Sequence, residues 1–206
     1  MARALMIMGT ASDVGKSVVA AGLCRIFHRA GIDVAPFKAQ NMSLNSFVTA
    51  EGGEMGRAQV LQSQACGLLP HVDMNPILLK PEADNRSQVI VHGKVWKKCE
   101  ARSYFARRDE LFRFVQESYG RLARCHDLIV IEGAGSAAEV NLRDKDIVNW
   151  PVAELADAWV LLVADIDRGG VFAQVIGTLD LLCAEERHRV MGIVVNKFRG
   201  DRTFRR

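Results

Sequence analysis

Lys16 and Ser17 stand at the end of a glycine-bounded stretch, Gly9-Thr10-Ala11-Ser12-Asp13-Val14-Gly15, which itself follows the apolar run Ala4 to Met8. A lysine and a hydroxyl in that position suit the capture of a polyphosphate. Gly9 and Gly15 let the backbone turn its N–H groups toward phosphate oxygens, and a helix opening near Lys16 adds the positive end of its dipole. Lys16 reaches the β- and γ-phosphates of a nucleotide, and Ser17 offers its hydroxyl to Mg2+. Thr10, Asp13 and Val14, inside the loop, join Gly9, Gly15, Lys16 and Ser17 as candidate nucleotide contacts. The common spacing of such a loop is G-x-x-x-x-G-K-[ST]. Here five residues separate the glycines, so the loop is one residue longer.

A nucleotide site of this kind needs a second oxygen ligand for its metal. Glu132 directly follows the apolar run "LIVI", and Gly133 and Gly135 behind it let the backbone pass close to a ligand. A glutamate at a buried strand end is costly unless it is paired or metal-bound, so the alternatives are a metal ligand and a structural salt bridge. Lys38 follows the segment "IDVAPF" as Lys16 follows the first strand. Asn196, in "VVNKF", stands at a strand end where an amide can read adenine, although a turn-forming Asn accounts for it equally well. Asp127 reads as a surface or capping residue. The cysteines show no CxxC spacing and the histidines no metal spacing, so packing or surface is their reading.

The elements that must position these residues follow from hydropathy. "ALMIM" (4–8), "LIVI" (128–131), "AWVLLVA" (158–164) and "VMGIVV" (190–195) are nearly continuous apolar runs, as in parallel strands covered on both faces. "IDVAPF" (32–37) is a further strand, and "SQVIVHG" (87–93) an edge or hairpin piece. Helical spacing runs through 16–31, ending at Gly31, and through 56–67, 101–125 and 169–186. Strands alternating with helices predict an α/β fold, a doubly wound and mainly parallel sheet. From Lys38 to Arg86 the chain is polar with little periodicity outside 56–67, which predicts long loops at the strand ends where such folds bind ligands.

Composition sets the limits. The chain has 206 residues, 49% of them hydrophobic and 25% charged, enough for one well-buried domain. A net charge of +3, concentrated in short runs such as "WKK" and "FRGDRTFRR", does not argue for nucleic acid. No apolar run reaches membrane-spanning length, no signal peptide is visible, and the odd set of five cysteines fits reduced thiols. The expectation is a cytoplasmic protein with neither nucleic acid nor membrane as a partner.

Taken together the motifs resemble a known family. "GTASDVGKS" looks like the long phosphate loop of the dethiobiotin synthetase-like P-loop superfamily, and "VIEGAGS" is similar to its Glu-Gly-Ala-Gly motif. Within it, "PFKAQNMSLNS", "GEMGRAQ", "MNPILLKP", "SQVIVHGK", "EVNLRDKDIVN", "ADIDRGGVFA" and "NKFRGD" resemble the synthetase part of the cobyric acid synthase family. The likeness extends from residue 3 to about 201. It implies a P-loop NTPase fold of the dethiobiotin synthetase-like type, with ATP and Mg2+ as cofactors. The implied reaction is amidation of the b, d, e and g carboxylates of adenosylcobyrinic acid a,c-diamide through acyl phosphates, in cobalamin biosynthesis.

Carried over onto this sequence, the resemblance makes Lys16 and Ser17 the nucleotide residues and Glu132 the Mg2+ acid. Lys38 becomes the lysine that steadies charge on the transferring phosphoryl group, and Asn196 the reader of adenine. Asp144 and Asp146 fall in a loop tied to substrate activation, and Gln40, Asn41, Ser43 and Asn45 become candidate corrinoid contacts. Members of the family carry a C-terminal glutaminase domain as ammonia source, and no such residues stand here. Residues 1–206 are therefore expected to be one amide-forming synthetase domain, truncated, able to use free ammonia but not glutamine. Two rival enzymes are the a,c-diamide synthase and dethiobiotin synthetase. A switch ATPase of the partitioning kind is a third rival, disfavoured because positions 10–14 hold no lysine.

Overall fold

The computed structural model describes residues 2–83 and 86–200; Asp201, which closes the "NKFRGD" block, and the basic run behind it lie outside them. The apolar runs form the expected strands: β1 (Arg3–Gly9), β2 (Val34–Phe37), β9 (Leu128–Glu132), β10 (Trp159–Asp165) and β11 (Val190–Asn196). They build one parallel sheet in the order β11-β10-β1-β9-β2. Residue alternation divides the core between its faces. Ile7, Val130 and Val163 pack with Ala20 and Cys24 of α1 (Lys16–Arg29) and with Cys66, just past α2 (Arg57–Ala65). Met6, Met8, Ile129, Ile131 and Leu162 pack on the other face with Leu111 and Val115 of α4 (Arg108–Cys125) and Ala153 of α5 (Trp150–Leu155). Helices on both faces make the sheet doubly wound.

The polar segment after Lys38 departs from the expected loops. Gln40–Met42 (β3), Ser46–Val48 (β4), Glu54–Gly56 (β5) and Ile77–Ala83 (β6) are strands. β6 pairs with β3 on one side and with Arg86–Val91 (β7) on the other, and Lys94–Glu100 (β8) completes a second sheet in the order β3-β6-β7-β8. "SQVIVHG" is thus a hairpin piece in the middle of this sheet, not its edge. Short strands with polar side chains carry no apolar alternation, so their pairing does not show in hydropathy. In β3 and β4 the polar groups bond instead to neighbours, as Ser46 Oγ does to Glu54 Oε2.

Two helices are shorter than their periodicity implied. The pattern over 101–125 breaks into α3 (Ala101–Phe105) and α4, because Tyr104 turns inward to donate to Gln40 Oε1 while α4 lies along the first sheet. The pattern over 169–186 breaks at Leu182, which is extended and buried. α6 (Val171–Leu181) ends there, and Cys183 starts α7 (Ala184–Arg189) in a capping box with Glu186. Among the described residues no helix is long and apolar enough to cross a membrane.

Candidate functional site

Register brings the chemistry to one edge. Ile7 is level with Glu132, Gly9 with Val163, and Asp165 with Asn196. These positions are the carboxyl ends of parallel strands. β1 sits where the strand order reverses, since α1 leads toward β9 and β2 while β10 and β11 lie on the other side. Open α/β sheets bind ligands at that point.

The loop between β1 and α1 is tightly built. A side chain on Gly9 would meet Ala11 O, Val14 Cγ2 and Lys16 Nζ within 2.9 Å. Gly15 caps the helix at φ 102°, and a Cβ there would lie 2.1 Å from Asn196 Nδ2. Asn196 itself donates from Nδ2 to Val14 O at 2.8 Å, so the last strand is latched to the loop. Thr10 N bonds Val163 O, Asp13 is left-handed at φ 60°, and Lys197 Nζ reaches both Asp13 O and Asp165 Oδ2. The hydrogen bond from Lys197 holds the Asp165 carboxyl below the usual carboxylate range.

Lys16 is buried and folded back into this cradle, donating to Ala11 O at 2.9 Å and Gly135 O at 2.7 Å. Burial lowers its pKa below the usual lysine value, and the nearby charge of Lys38 lowers it further. A phosphate would give Lys16 an anionic partner in place of the two carbonyls.

Glu132 is 2% exposed and is the hub of the site. Its Oε1 accepts from Ser17 Oγ at 2.7 Å and from Lys38 Nζ at 2.6 Å. Its Oε2 accepts from Gln62 Nε2 at 2.6 Å and Gln59 Nε2 at 3.1 Å. Both readings of Glu132 therefore find a partner in the structure: a salt bridge to Lys38, and a hydroxyl oxygen beside the carboxylate. Among the described residues no cluster of three or more His, Cys, Asp or Glu could hold a metal alone. Mg2+ does not ask for one, because it takes one or two protein oxygens and completes its shell with phosphates and water. Ser17 Oγ and Glu132 Oε1 are hard oxygen donors of that kind.

The backbone after Glu132 is held by Asn149. Its Oδ1 accepts from Ala134 N, and its Nδ2 donates to Ala134 O at 2.8 Å and Ser136 O at 3.3 Å. Gly133 is required for this approach, since a Cβ there would lie 2.4 Å from Asn149 Oδ1. Asp146 accepts backbone N–H bonds from Val148, Asn149 and Trp150, which fixes the turn entering α5. Asp144 is exposed.

Beside this turn lies a cavity of about 300 Å³, lined by Gln40, Tyr104, Gly135, Leu142, Asp146 and Trp150 among others. Its walls are largely apolar, and Lys145 lies 5.2 Å from the Phe105 ring centre at its margin. Of the sequence-derived substrate candidates, only Gln40 lines the cavity. Asn41 donates to Gln59 Oε1, Ser43 to Asn45 O, and Asn45 is exposed. Residue types alone missed Gln59, Gln62, Asn149, Tyr104 and Lys197. The one available signal was the i, i+3 spacing of the two glutamines in "RAQVLQ".

Comparison with known proteins accords with this geometry. The family model described as the CobQ/CobB/MinD/ParA nucleotide binding domain matches residues 5–206, and the chain belongs to that family. It is 61% identical over 197 residues to a cobyric acid synthase of Sorangium cellulosum, covering 96% of this chain and 38% of that protein. It is 56% identical over 201 residues to one of Streptococcus sanguinis, covering 98% and 40%. The chain thus spans about two fifths of the length of these curated relatives. Among solved structures it resembles the signal recognition particle receptor FtsY of Elizabethkingia anophelis, with a TM-score of 0.55 at 16% identity over 95% of this chain and 50% of that one. The chimerical protein CapA2B2 gives 0.53 at 14%, over 97% and 78%. At such identities the likeness shows the fold alone, a P-loop α/β sheet.

Proposed function

We propose that this member of the CobQ/CobB/MinD/ParA family is the synthetase part of a cobyric acid synthase. It would amidate the b, d, e and g carboxylates of adenosylcobyrinic acid a,c-diamide with ATP, ammonia coming from a C-terminal glutaminase domain. The observation that carries this reading is the convergence of Lys16, Ser17, Lys38 and Glu132 beside an apolar-walled cavity at the switch point of the sheet. Identity of 61% to a cobyric acid synthase supports the substrate. Residues 1–206 act as one amide-forming domain in this proposal.

A carboxylate is a poor electrophile, so the reaction runs in two steps. A carboxylate oxygen of the acceptor attacks the γ-phosphorus of ATP, the bond to the β-phosphate oxygen breaks, and ADP leaves. Ammonia then attacks the acyl carbon of the acyl phosphate, the C–O bond breaks, inorganic phosphate leaves, and the nitrogen gives up a proton. Such transfers rest on positioning and charge stabilisation. Gly9, Thr10, Asp13, Val14 and Gly15 would wrap the phosphates, and Lys16 would leave its carbonyl partners for them. Lys38 would steady charge on the transferred group. Ser17 and Glu132 would hold Mg2+, which neutralises phosphate charge when bound. Asn196, latched to Val14, would meet the base.

At the acceptor end, Gln40 would contact the corrinoid, with Asn41 beside it on the same strand and Ser43 and Asn45 in the loop that follows. Asp144 and Asp146 would serve acceptor activation. For Asp146 this role runs through the turn it holds, because its carboxylate oxygens are occupied by backbone N–H groups. The test is ATP turnover with Mg2+ and ammonium, with and without adenosylcobyrinic acid a,c-diamide, following products by mass. Acceptor-dependent exchange of acid hydroxyl for amino groups is the expected result. ATP turnover without amidated product, or ATP-dependent dimerisation alone, would overturn the reading.

A further inference from the structure

Gln59 and Gln62 lie three residues apart on α2 and are both fully buried. Residues so spaced share a helix face, and this face is turned to Glu132 instead of solvent. The two amides take one carboxylate oxygen, Oε2, and leave Oε1 to Ser17 and Lys38. The carboxylate is thereby divided into a held oxygen and a presented one. Gln59 is itself oriented, since its Oε1 accepts from Asn41 Nδ2 at 2.9 Å.

A second observation is independent of this. Gln62 Oε1 is the one buried side-chain polar atom without a hydrogen-bond partner among the described residues. Turning the amide over would not cure this, because it would set two oxygens about where Nε2 and Oε2 now lie 2.6 Å apart. An unmet buried acceptor is uncommon in a native protein and points to a donor that arrives with a ligand or water. Gln62 also reaches the backbone of the phosphate-loop helix, its Nε2 lying 3.4 Å from Ser17 O.

We propose that Gln59 and Gln62 are positioning residues for the metal-binding acid, holding Glu132 Oε2 so that Oε1 is presented beside the Ser17 hydroxyl. The proposal rests on the reading of Glu132 as the Mg2+ acid. Groups that orient metal ligands from behind typically matter about 10- to 100-fold in metal affinity. The chain's affinity for a fluorescent ATP analogue should be titrated with and without Mg2+, and Mn2+ binding in the presence of ATP followed by electron paramagnetic resonance. Gln59→Leu, Gln62→Leu and Glu132→Gln are the variants, each checked for folding by its thermal transition.

The expected result is an unchanged metal-free affinity, with the gain on adding metal and the Mn2+ affinity reduced about 10- to 100-fold in Gln62→Leu and less in Gln59→Leu. A merely structural role would lower both affinities together and leave their ratio alone. If Gln62→Leu does not fold, Gln59→Leu carries the same test with Gln62 still in place. The wild-type ratio in both leucine variants, with a lowered ratio in Glu132→Gln, would overturn the proposal alone. A wild-type ratio in Glu132→Gln as well would bring down the metal reading of Glu132 itself.

Discussion

Replacing Lys38 by methionine probes how the buried acid is balanced. The ammonium lies 2.6 Å from Glu132 Oε1, with side chains 11% and 1% exposed. At an effective dielectric of about 20, the bare attraction over that distance is roughly 6 kcal/mol. Most of it is offset by the cost of removing both charges from water. Taking away one partner of a buried pair costs about 3–5 kcal/mol, because the other charge stays behind. Glu132 would still keep Ser17, Gln59 and Gln62 as donors, so the low end applies, about 3 kcal/mol. At about 2–4 °C per kcal/mol for a chain of this size, the midpoint should fall by about 6–12 °C. Lys38→Met combined with Glu132→Gln removes both charges and should recover much of that loss. The assay is urea and thermal unfolding of all corners of the double-mutant cycle without nucleotide. A coupling energy below about 0.5 kcal/mol would refute the reasoning, since residues in direct contact couple by about 0.5–3 kcal/mol.

Asn149→Ala should cost about 1–3 kcal/mol in urea unfolding, because it strips hydrogen bonds from Ala134 and Ser136 in a buried turn. It should also weaken ATP binding, since that turn carries the Gly135 carbonyl that receives Lys16. Nucleotide binding should take up protons: Lys16 is held below 10.5 by burial and by Lys38, and phosphate restores its charge. Calorimetry in buffers of different ionisation enthalpy should show the uptake grow as pH rises toward the lowered pKa, and Lys16→Met should abolish it. In the free protein the same depressed pKa makes Lys16's contribution to stability rise with pH between its folded value and 10.5, because the unfolded chain binds the extra proton there. Asp73 has the same sign at the acid end of the range. Burial raises its pKa, but the hydrogen bonds from Arg121 and Ser118 outweigh it and hold the carboxyl below 3.8. Its stabilisation is complete above 3.8 and lost as pH falls through the folded value. The stability gap between wild type and Asp73→Asn should therefore close in acid, as read by urea midpoints across pH.

The parallel sheet was legible because β1, β2, β9 and β10 are buried on both faces over most of their length, and continuous apolar runs such as Leu128–Ile131 have no other economical home. The phosphate loop was legible because glycines, a lysine and a hydroxyl at fixed offsets have one shared use. The second sheet was not. β3 carries Gln40 and Asn41, whose amides are satisfied by Tyr104 and Gln59 from distant parts of the chain, and a polar strand closed by side-chain partners looks like loop. The breaks near Ala106 and Leu182 were hidden for a related reason. Helical periodicity continues across both, and only the inward turn of Tyr104 and the capping box at Cys183 end the helices.

The glutamines of α2 show where reading from residue type stops. A helix written "RAQVLQSQA" looks like one whose Gln face meets water, yet Gln59, Gln62 and Ser63 are all fully buried. A polar helix face can be buried only against groups that satisfy it. Here the partner is a carboxylate seventy residues further on, Glu132 to Gln62, brought level with the phosphate loop by strand register alone. Sequence shows the acid and the amides separately and nothing of their meeting. What joins them is the placement of α2 on the α1 face of the sheet, which follows from Cys24 and Cys66 packing together with Ile7 and Val130. The apolar residues of that face thus determine which polar residues can reach the acid. A mutation in this core, such as Cys66→Ala, should disturb Glu132 without touching it.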